Sequence, residues 1–466
     1  MQVLGVILAA GKGSRFKSEK PKVIHTLLGK PMVYFPYEAL LSLDPIKVAF
    51  IVGHKKEEVI STVKGFPQAD QKVVFFEQVN PKGGTGDAVR QALPLLKEHP
   101  DKVVVILNGD SPLIKGETLK EGLKKLIEHS LDGVIFTTIL EDPTGYGRIV
   151  RDEKGHVVEI VEEKDASEAQ RKIKEVNGGF YIFRVQPLLE ALKELKPSPV
   201  SGEVYLTDVV KILHSKGYKV DTYQTPYWEL LGVNDRRQLA EAEKLLLERK
   251  IENLQREGVT VRLPETVYIE WDIQVGRDTE IEPHAVLKGK TSVGENCLIG
   301  VGSILENTTV ENNVEILPYS YISDSQIEEG CVIGPFARIR NQSHLKEECE
   351  IGNFVEVKKS TIGRKTKAKH LSYIGDAQIG DNTNIGAGTV FANYDGVNKY
   401  QTSVGNNVFI GSNSLIIAPR QLGDWSFIAG GSVVNKDVPP KALAVSRAPL
   451  RILEGKNPLL RKDKNS

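Results

Sequence analysis

The sequence predicts an α/β chain built in series: a mostly parallel sheet covered by helices, a linker helix, then a parallel β-helix of hexapeptide repeats. Three observations predict it. Up to about Trp228, short β-branched runs alternate with helix-length amphipathic segments, the pattern of βαβ units. From Asn234 to about Glu257 there is no Pro, and apolar residues fall at i+3/i+4 spacing. From about Val261 to Lys441 aliphatic or small residues return every five or six positions. Neither helix nor strand has that period; a β-helix whose flat sides each take one hexad does.

The elements follow in order. Val3–Ala9, Val48–Val52, Val73–Phe76, Val103–Leu107 and Val134–Thr138 read as buried strands. Met32–Leu43, Lys56–Val63, Thr85–Leu96 and Gly116–His129 read as helices. The linker helix has Asn234 or Asp235 as its N-cap. The hexad positions run from Val275 through Ile281, Leu287 and Val293 to Ile385, break over Phe391–Ser403, and resume from Val404 to Val434. At about 18 residues per coil this makes roughly nine coils around one apolar column. After Lys441 the rhythm ends, and residues 441–466 carry seven Lys/Arg against two acids. The expected domains are 1–228, 229–257, 258–441 and a basic tail, 442–466.

Composition narrows the function classes. The 466 residues carry 61 Lys+Arg and 61 Asp+Glu, against the basic surface that nucleic-acid binding needs. Hydrophobic content of 40% with 26% charge suits a globular chain. Three cysteines, Cys297, Cys331 and Cys349, are too few for a disulfide framework or zinc ribbon, and a reducing cytoplasm is the expected compartment. No run approaches the ~18 apolar residues of a membrane helix. The apolar start lacks a basic leader and reads as a first strand rather than a signal peptide.

In parallel α/β sheets ligands sit beyond the carboxyl ends of the strands. The first strand runs into Gly11-Lys12-Gly13-Ser14-Arg15, and another into Asn108-Gly109-Asp110. Glycines admit phosphate oxygens to backbone N–H groups, and cations neutralise them. Lys22 adds a second cation. Asp110 suits Mg2+, which takes few carboxylates plus phosphate oxygens. Gly83-Gly84-Thr85-Gly86 opens a helix. Each feature alone is equally a turn or a surface charge; together they describe a nucleotide-handling site.

In the β-helix, Arg340 and Lys358 lie 18 residues apart and Glu356 and Tyr373 lie 17 apart. One coil of that length stacks them on one face, near His370. Basic, acidic and imidazole groups converge there, and an imidazole suits general-base work near neutral pH.

Leu8-Ala9-Ala10-Gly11-Lys12-Gly13-Ser14-Arg15, Pro21-Lys22-Val23-Ile24-His25-Thr26, Asn108-Gly109-Asp110 and Asp142-Pro143-Thr144-Gly145-Tyr146-Gly147-Arg148-Ile149 resemble the motifs of the sugar-1-phosphate nucleotidylyltransferases. With the hexapeptide repeats, the chain to about Pro449 resembles the bifunctional N-acetylglucosamine-1-phosphate uridyltransferase / glucosamine-1-phosphate N-acetyltransferases. The resemblance implies a Rossmann-like nucleotidyltransferase domain and a left-handed β-helix. It implies acetyl-CoA-dependent N-acetylation of glucosamine 1-phosphate, then uridylyl transfer from UTP to N-acetylglucosamine 1-phosphate with release of pyrophosphate. That activity serves cell-wall, peptidoglycan and lipopolysaccharide synthesis. It implies Mg2+ and a homotrimer with acetyl-CoA sites between subunits; neither nucleic acid nor membrane insertion is expected.

By the same resemblance, Leu8, Ala9, Ala10, Gly11, Gln78, Gly84 and Thr85 hold the uridine, with Asn108 and Gly109 beside the nucleotide. Arg15 and Lys22 face the triphosphate, and Asp110 and Asn234 hold Mg2+. Gly147, Glu162, Asn177, Tyr205 and Thr207 line the sugar pocket. His370 is the base and Glu356 orients it. Arg340 and Lys358 bind the substrate phosphate; Tyr373 and Asn384 position the sugar. Ala387, Asn393, Tyr394, Ser412, Gly430 and Arg447 contact acetyl-CoA. Two departures stand out: the interval from Gln78 to Gly84-Thr85 is one residue longer than the family pattern, and Gly430 replaces Ala. Two other readings stay open. In a single-activity pyrophosphorylase the β-helix would only assemble subunits, and the His370 cluster would be absent. In a translation-factor exchange subunit the phosphate and metal residues would be eroded.

Overall fold

The computed structural model describes residues 2–80, 82–199, 201–456 and 459. The chain divides into two compact units, Met1–Leu246 and Leu247–Ser466.

The first unit is built on strands β1 (Val3–Ala9), β2 (Val48–Val52), β3 (Val73–Glu77), β4 (Val103–Asn108), β5 (Gly133–Ile139), β6 (Glu175–Arg184) and β7 (Val220–Gln224). Their order across the sheet is β7-β5-β6-β4-β1-β2-β3. β1 pairs in parallel with β2 and β4, β2 with β3, and β5 with β7. β6 alone runs antiparallel, between β4 and β5. A hairpin of Arg148–Arg151 and Val157–Val161 extends the sheet beside β6. The strands that the sequence predicts all form; β1, β2 and β4 bury their apolar runs between covered faces, whereas Val73–Phe76, expected to be buried, is half-buried because β3 is an edge strand.

Sequence reading did not find β6 or β7. Asn177-Gly178-Gly179 lies inside β6, where the ladder shifts register between Asn177 and Tyr181. Bulges of this kind re-aim side chains next to active sites. The helix expected over Thr85–Leu96 is two helices, Gly84–Arg90 and Leu93–Glu98. Pro94 stands in the first turn of the second, where its missing N–H costs nothing, but it cannot continue the first. The first-unit helix expected over Met32–Leu43 is shorter, Tyr34–Leu41.

The long helix spans Arg236–Arg256. Asp235 caps it, its Oδ1 accepting the Gln238 N–H at 2.8 Å. That leaves the side chain of Asn234 free for other work.

The second unit is a left-handed parallel β-helix. Three ladders of short parallel strands form its sides, and, apart from the coil with the insertion and the last rung, successive coils pair 17 or 18 residues apart, as in Val275↔Val293 and Ile299↔Ile316. Every hexad position predicted to point inward is buried, from Val275 to Val434, in one core that also takes in Ile251 and Leu254 of the long helix. Two boundaries move. Phe391 is fully buried in the inward column, so the insertion begins after Ala392; an aromatic there stands where the other hexads carry an aliphatic or small residue, which hides it in the pattern. Leu443–Ala444 still pair with Phe427–Ile428, so the ladder outlasts Lys441 by one rung.

Candidate active sites

In the first unit, the polar groups gather at the carboxyl ends of β1 and β4. Arg15 donates to Asn234 Oδ1 at 3.0 Å. Lys22 ion-pairs with Asp110, and its Nζ lies 3.4 Å from Asn234 Oδ1. One carboxylate oxygen and one amide oxygen thus face a single point, which a side-chain cation holds. This donor pair fits Mg2+ brought by a polyphosphate, since the phosphates supply most of its ligands. Among the described residues no three His, Cys, Asp or Glu group as a self-sufficient metal cage.

A second cluster forms beside it. Thr207 Oγ1 donates to Glu162 Oε1 at 3.0 Å. Asn177 Nδ2 donates to the Tyr181 hydroxyl at 2.7 Å. Gly147 stands against both segments, since a Cβ there would lie 3.5 Å from Asn177 Cβ and from Glu162 Oε2. Burial raises the Glu162 carboxyl above its ordinary range; Thr207 opposes this, while Asp208, Asp165 and Glu203 add to it. Asn108 reaches the same region, donating to the Gly179 carbonyl at 3.3 Å. The Tyr205 hydroxyl turns to Ser201, at 2.7 Å.

Gln78 donates its amide to the Gly84 carbonyl at 3.0 Å and to Asp87 Oδ2 at 2.9 Å. Its NH2 is spent on the start of the Gly84–Arg90 helix, so only its amide oxygen remains to meet a base. Thr85 Oγ1 accepts from Leu206 N at 3.1 Å.

In the second unit, ladder registers do what the coil arithmetic predicts. Arg340 stacks on Lys358, and Glu356 on Tyr373. One expectation is corrected. Glu356 does not orient His370: it accepts from Arg340 Nε at 2.6 Å, and His370 Nδ1 meets Asn353 Oδ1 at 2.8 Å. The physical reason is position, because Asn353 lies one coil below His370 in the same ladder, while Glu356 belongs to the next side of the coil. An amide oxygen there selects the Nδ1–H tautomer and leaves Nε2 free as a base.

Lys358 is buried, and its Nζ donates to Asp376 Oδ2 at 3.0 Å. Asn393 donates to the same carboxylate. Burial opposes ionisation of Asp376, but Lys358 and Asn393 outweigh it and hold the carboxyl below its usual range. Asn393 Nδ2 also lies 3.5 Å from the Tyr373 hydroxyl. Asn384 pairs with Lys367 on the coil that carries His370. Ala387, Ser412 and Gly430 stack on consecutive coils, through Asn413 N to Ala387 O and Gly431 N to Ser412 O, both 2.7 Å. A Cβ on Gly430 would press to 3.2 Å from the Ser412 carbonyl; the glycine relieves that contact. Arg447 lies over Gly431. Tyr394 does not join the group; its hydroxyl bonds within its own loop, to Gly396 O at 2.5 Å.

Sequence reasoning missed Asn353 and Asp376 as partners. Each stands one coil from the residue it serves, so the arithmetic that aligned Arg340 with Lys358 would have found both.

Comparison with known proteins agrees on both halves. A nucleotidyl transferase family model matches residues 4–247. A model described as the GMPPB C-terminal domain matches 269–348, and the hexapeptide repeat of succinyl-transferase matches 401–436. Over nearly its whole length the chain is similar to proteins named bifunctional protein GlmU. The one from Aquifex aeolicus is 51% identical, covering 97% of this chain and 98% of its own. Those from Hydrogenobaculum sp. and Listeria monocytogenes are 47% and 44% identical, covering 97% and 95% of this chain and 98% and 95% of theirs. The chain belongs to this bifunctional family. It is an enzyme of UDP-N-acetylglucosamine biosynthesis, with an N-terminal nucleotidyltransferase half and a hexapeptide-repeat acetyltransferase half. Nucleotide and acetyl-CoA are its co-substrates. Among the described residues no helix is long and apolar enough to cross a membrane.

Proposed function

We propose that the two polar clusters are the two active sites, and that the residues expected from sequence do the work there, with Asn353 replacing Glu356 as the partner of His370. The observation that carries the first site is the meeting of Asp110 and Asn234 oxygens at Lys22, beside Arg15. Asp110 and Asn234 hold Mg2+, which screens the polyphosphate charge when bound. Arg15 and Lys22 neutralise the phosphate as N-acetylglucosamine 1-phosphate attacks the α-phosphorus of UTP and pyrophosphate leaves. Little covalent help is needed; position and charge dominate. Gly147, Glu162, Asn177 and Thr207 hold the acetamido sugar, and Tyr205 closes that side.

In the second site, Arg340 and Lys358 take the phosphate of glucosamine 1-phosphate, and Tyr373 and Asn384 orient the ring. His370 Nε2 removes the amine proton as nitrogen attacks the thioester carbonyl, and free CoA thiol leaves. Ala387, Asn393, Ser412, Gly430 and Arg447 take acetyl-CoA, with Tyr394 on the neighbouring loop.

The chain works as a homotrimer in the cytoplasm. Support for assembly comes from one corner of the β-helix. Tyr319, Phe336 and Phe354 stack on consecutive coils at 5.3 and 5.5 Å, all exposed and all at φ between 56° and 60°. Bulky residues at positive φ are unfavourable and need another reason to be there. An apolar seam against a second copy supplies one. The low cysteine content, three buried residues, fits a reducing compartment.

One reaction with two readouts tests the assignment. Full-length protein receives glucosamine 1-phosphate, acetyl-CoA, UTP and Mg2+, and free thiol and pyrophosphate are followed separately. Both products appear in the wild type. Pyrophosphate from supplied N-acetylglucosamine 1-phosphate without any thiol would overturn the second site.

A further inference from the structure

From Gly11 to Lys20 the chain lies open to solvent, and Phe16 is its one buried residue, 2% exposed. A glycine-rich loop has many conformations to lose, so the place where it is pinned decides where Arg15 stands. Phe16 meets two partners. The His25 ring lies 4.7 Å away, tilted by 36°. The Arg236 guanidinium carbon lies 5.5 Å from the ring centroid, within the range of a cation–π contact.

Each of the three belongs to a segment that carries a group of the first site. Phe16 follows Arg15. His25 closes the turn Lys22–Ile24, its N–H reaching the Lys22 carbonyl at 3.2 Å. Arg236 opens the long helix two residues after Asn234. Segments more than 200 residues apart therefore meet twice, once through Arg15, Lys22 and Asn234 and once through this stack. Gly13 adds a further constraint. Its φ is +62°, and a Cβ there would fall 2.6 Å from Lys22 Cβ, so the loop rests directly on Lys22.

The His25 ring packs against Phe16 while keeping one hydrogen bond, to the Lys20 backbone. Its Nε2 is buried and has no hydrogen-bond partner. Burial, then the charges of Arg236 and Lys20, keep its pKa below the ordinary value.

We propose that Phe16 is a positioning residue for uridylyl transfer, its ring setting Arg15, Lys22 and Asn234 in register through His25 and Arg236. This rests on the assignment of uridylyl transfer to the first unit. Phe16 touches no substrate in this account. Its removal displaces groups that act on charge developing in the transition state, so kcat falls more than KM for UTP changes. Asn234 shifts with it, so half-maximal activity needs more Mg2+.

The test uses the full chain, with pyrophosphate release from UTP, N-acetylglucosamine 1-phosphate and Mg2+. Arg236→Gln is an exposed change that spares the fold, and Phe16→Leu keeps apolar volume while removing the ring. Each is expected to lower kcat about 10-fold or more, to raise the Mg2+ needed for half activity, and to leave acetyl transfer unchanged. Arg236→Lys restores most of kcat, because an ammonium also sits over a ring. The double variant is no worse than Phe16→Leu alone, since both remove one contact. Wild-type kcat and Mg2+ response in both single variants would overturn the proposal. So would fully multiplicative losses, or a lower melting temperature with kcat per folded molecule unchanged. A wild-type chain that releases no pyrophosphate would instead remove the uridylyl assignment itself.

Discussion

The two units solve the same problem, holding a phosphorylated amino sugar against an activated donor, by opposite means. The first unit draws its groups from distant loops. Arg15 and Asn234 are 219 residues apart, and nothing local sets their distance. The second draws its groups from a repeat. Arg340, Glu356, Lys358, His370 and Tyr373 occupy successive rungs, and the register of one rung sets the next. A loop-built site depends on the fold of its whole unit, whereas a rung-built site depends on a few neighbouring coils.

The largest expected effects separate the two sites. Asp110→Ala is expected to reduce pyrophosphate release by at least about 10²-fold through lost electrostatic stabilisation, with thiol release intact. His370→Ala is expected to reduce thiol release by about 10²- to 10⁴-fold, the range for a general base, with pyrophosphate release intact. Cross-talk in either steady-state assay would break the comparison.

Core truncation comes next. Ile333→Ala in the β-helix and Ile106→Ala in the sheet each remove a fully buried side chain and cost about 2–5 kcal/mol. Amide exchange separates the outcomes. Faster exchange confined to coils near Ile333 is expected in the quasi-one-dimensional stack; in the sheet unit it spreads through β1, β4 and β6. Spreading along the entire β-helix would contradict the local picture.

Asn353→Ala tests the corrected partner of His370. A fall in acetyl-transfer kcat of about 10- to 10²-fold is expected from a misaligned base. Glu356→Gln should act instead through Arg340, raising KM for glucosamine 1-phosphate. The reverse split would restore Glu356 to the imidazole.

The smallest effect concerns stability. Glu162 binds its proton more tightly in the folded chain than at its ordinary value of 4.5, because it is buried. Stability from this group is therefore full below that value and is lost as pH rises toward the folded one. Glu162→Gln is expected to raise the melting temperature of the first unit at neutral pH, by a margin that shrinks on acidification. A margin independent of pH would mean that the buried carboxyl is not the cause.

The sequence by itself determined the class of both units and much of which side chains gather in both polar clusters. Continuous apolar runs followed by Gly11–Arg15 and Asn108–Asp110 mark the strand ends where the polar groups gather, because burial and backbone access are local requirements. The six-residue period was enough to place Arg340 over Lys358, because a repeat converts sequence distance into spatial distance. Tertiary structure alone decided the rest. β6 was hidden because a bulge at Asn177–Tyr181 needs flanking strands to be stable. Asn234 was split between cap and ligand until Asp235 took the cap. That His370 bonds Asn353 rather than Glu356 became visible only with the side chains in place, although the 17-residue interval to Asn353, against 14 to Glu356, already sets Asn353 on its rung. The Arg236–Phe16–His25 contact was likewise beyond reach, since packing between segments this distant is set by the folded unit and by no pattern along the chain.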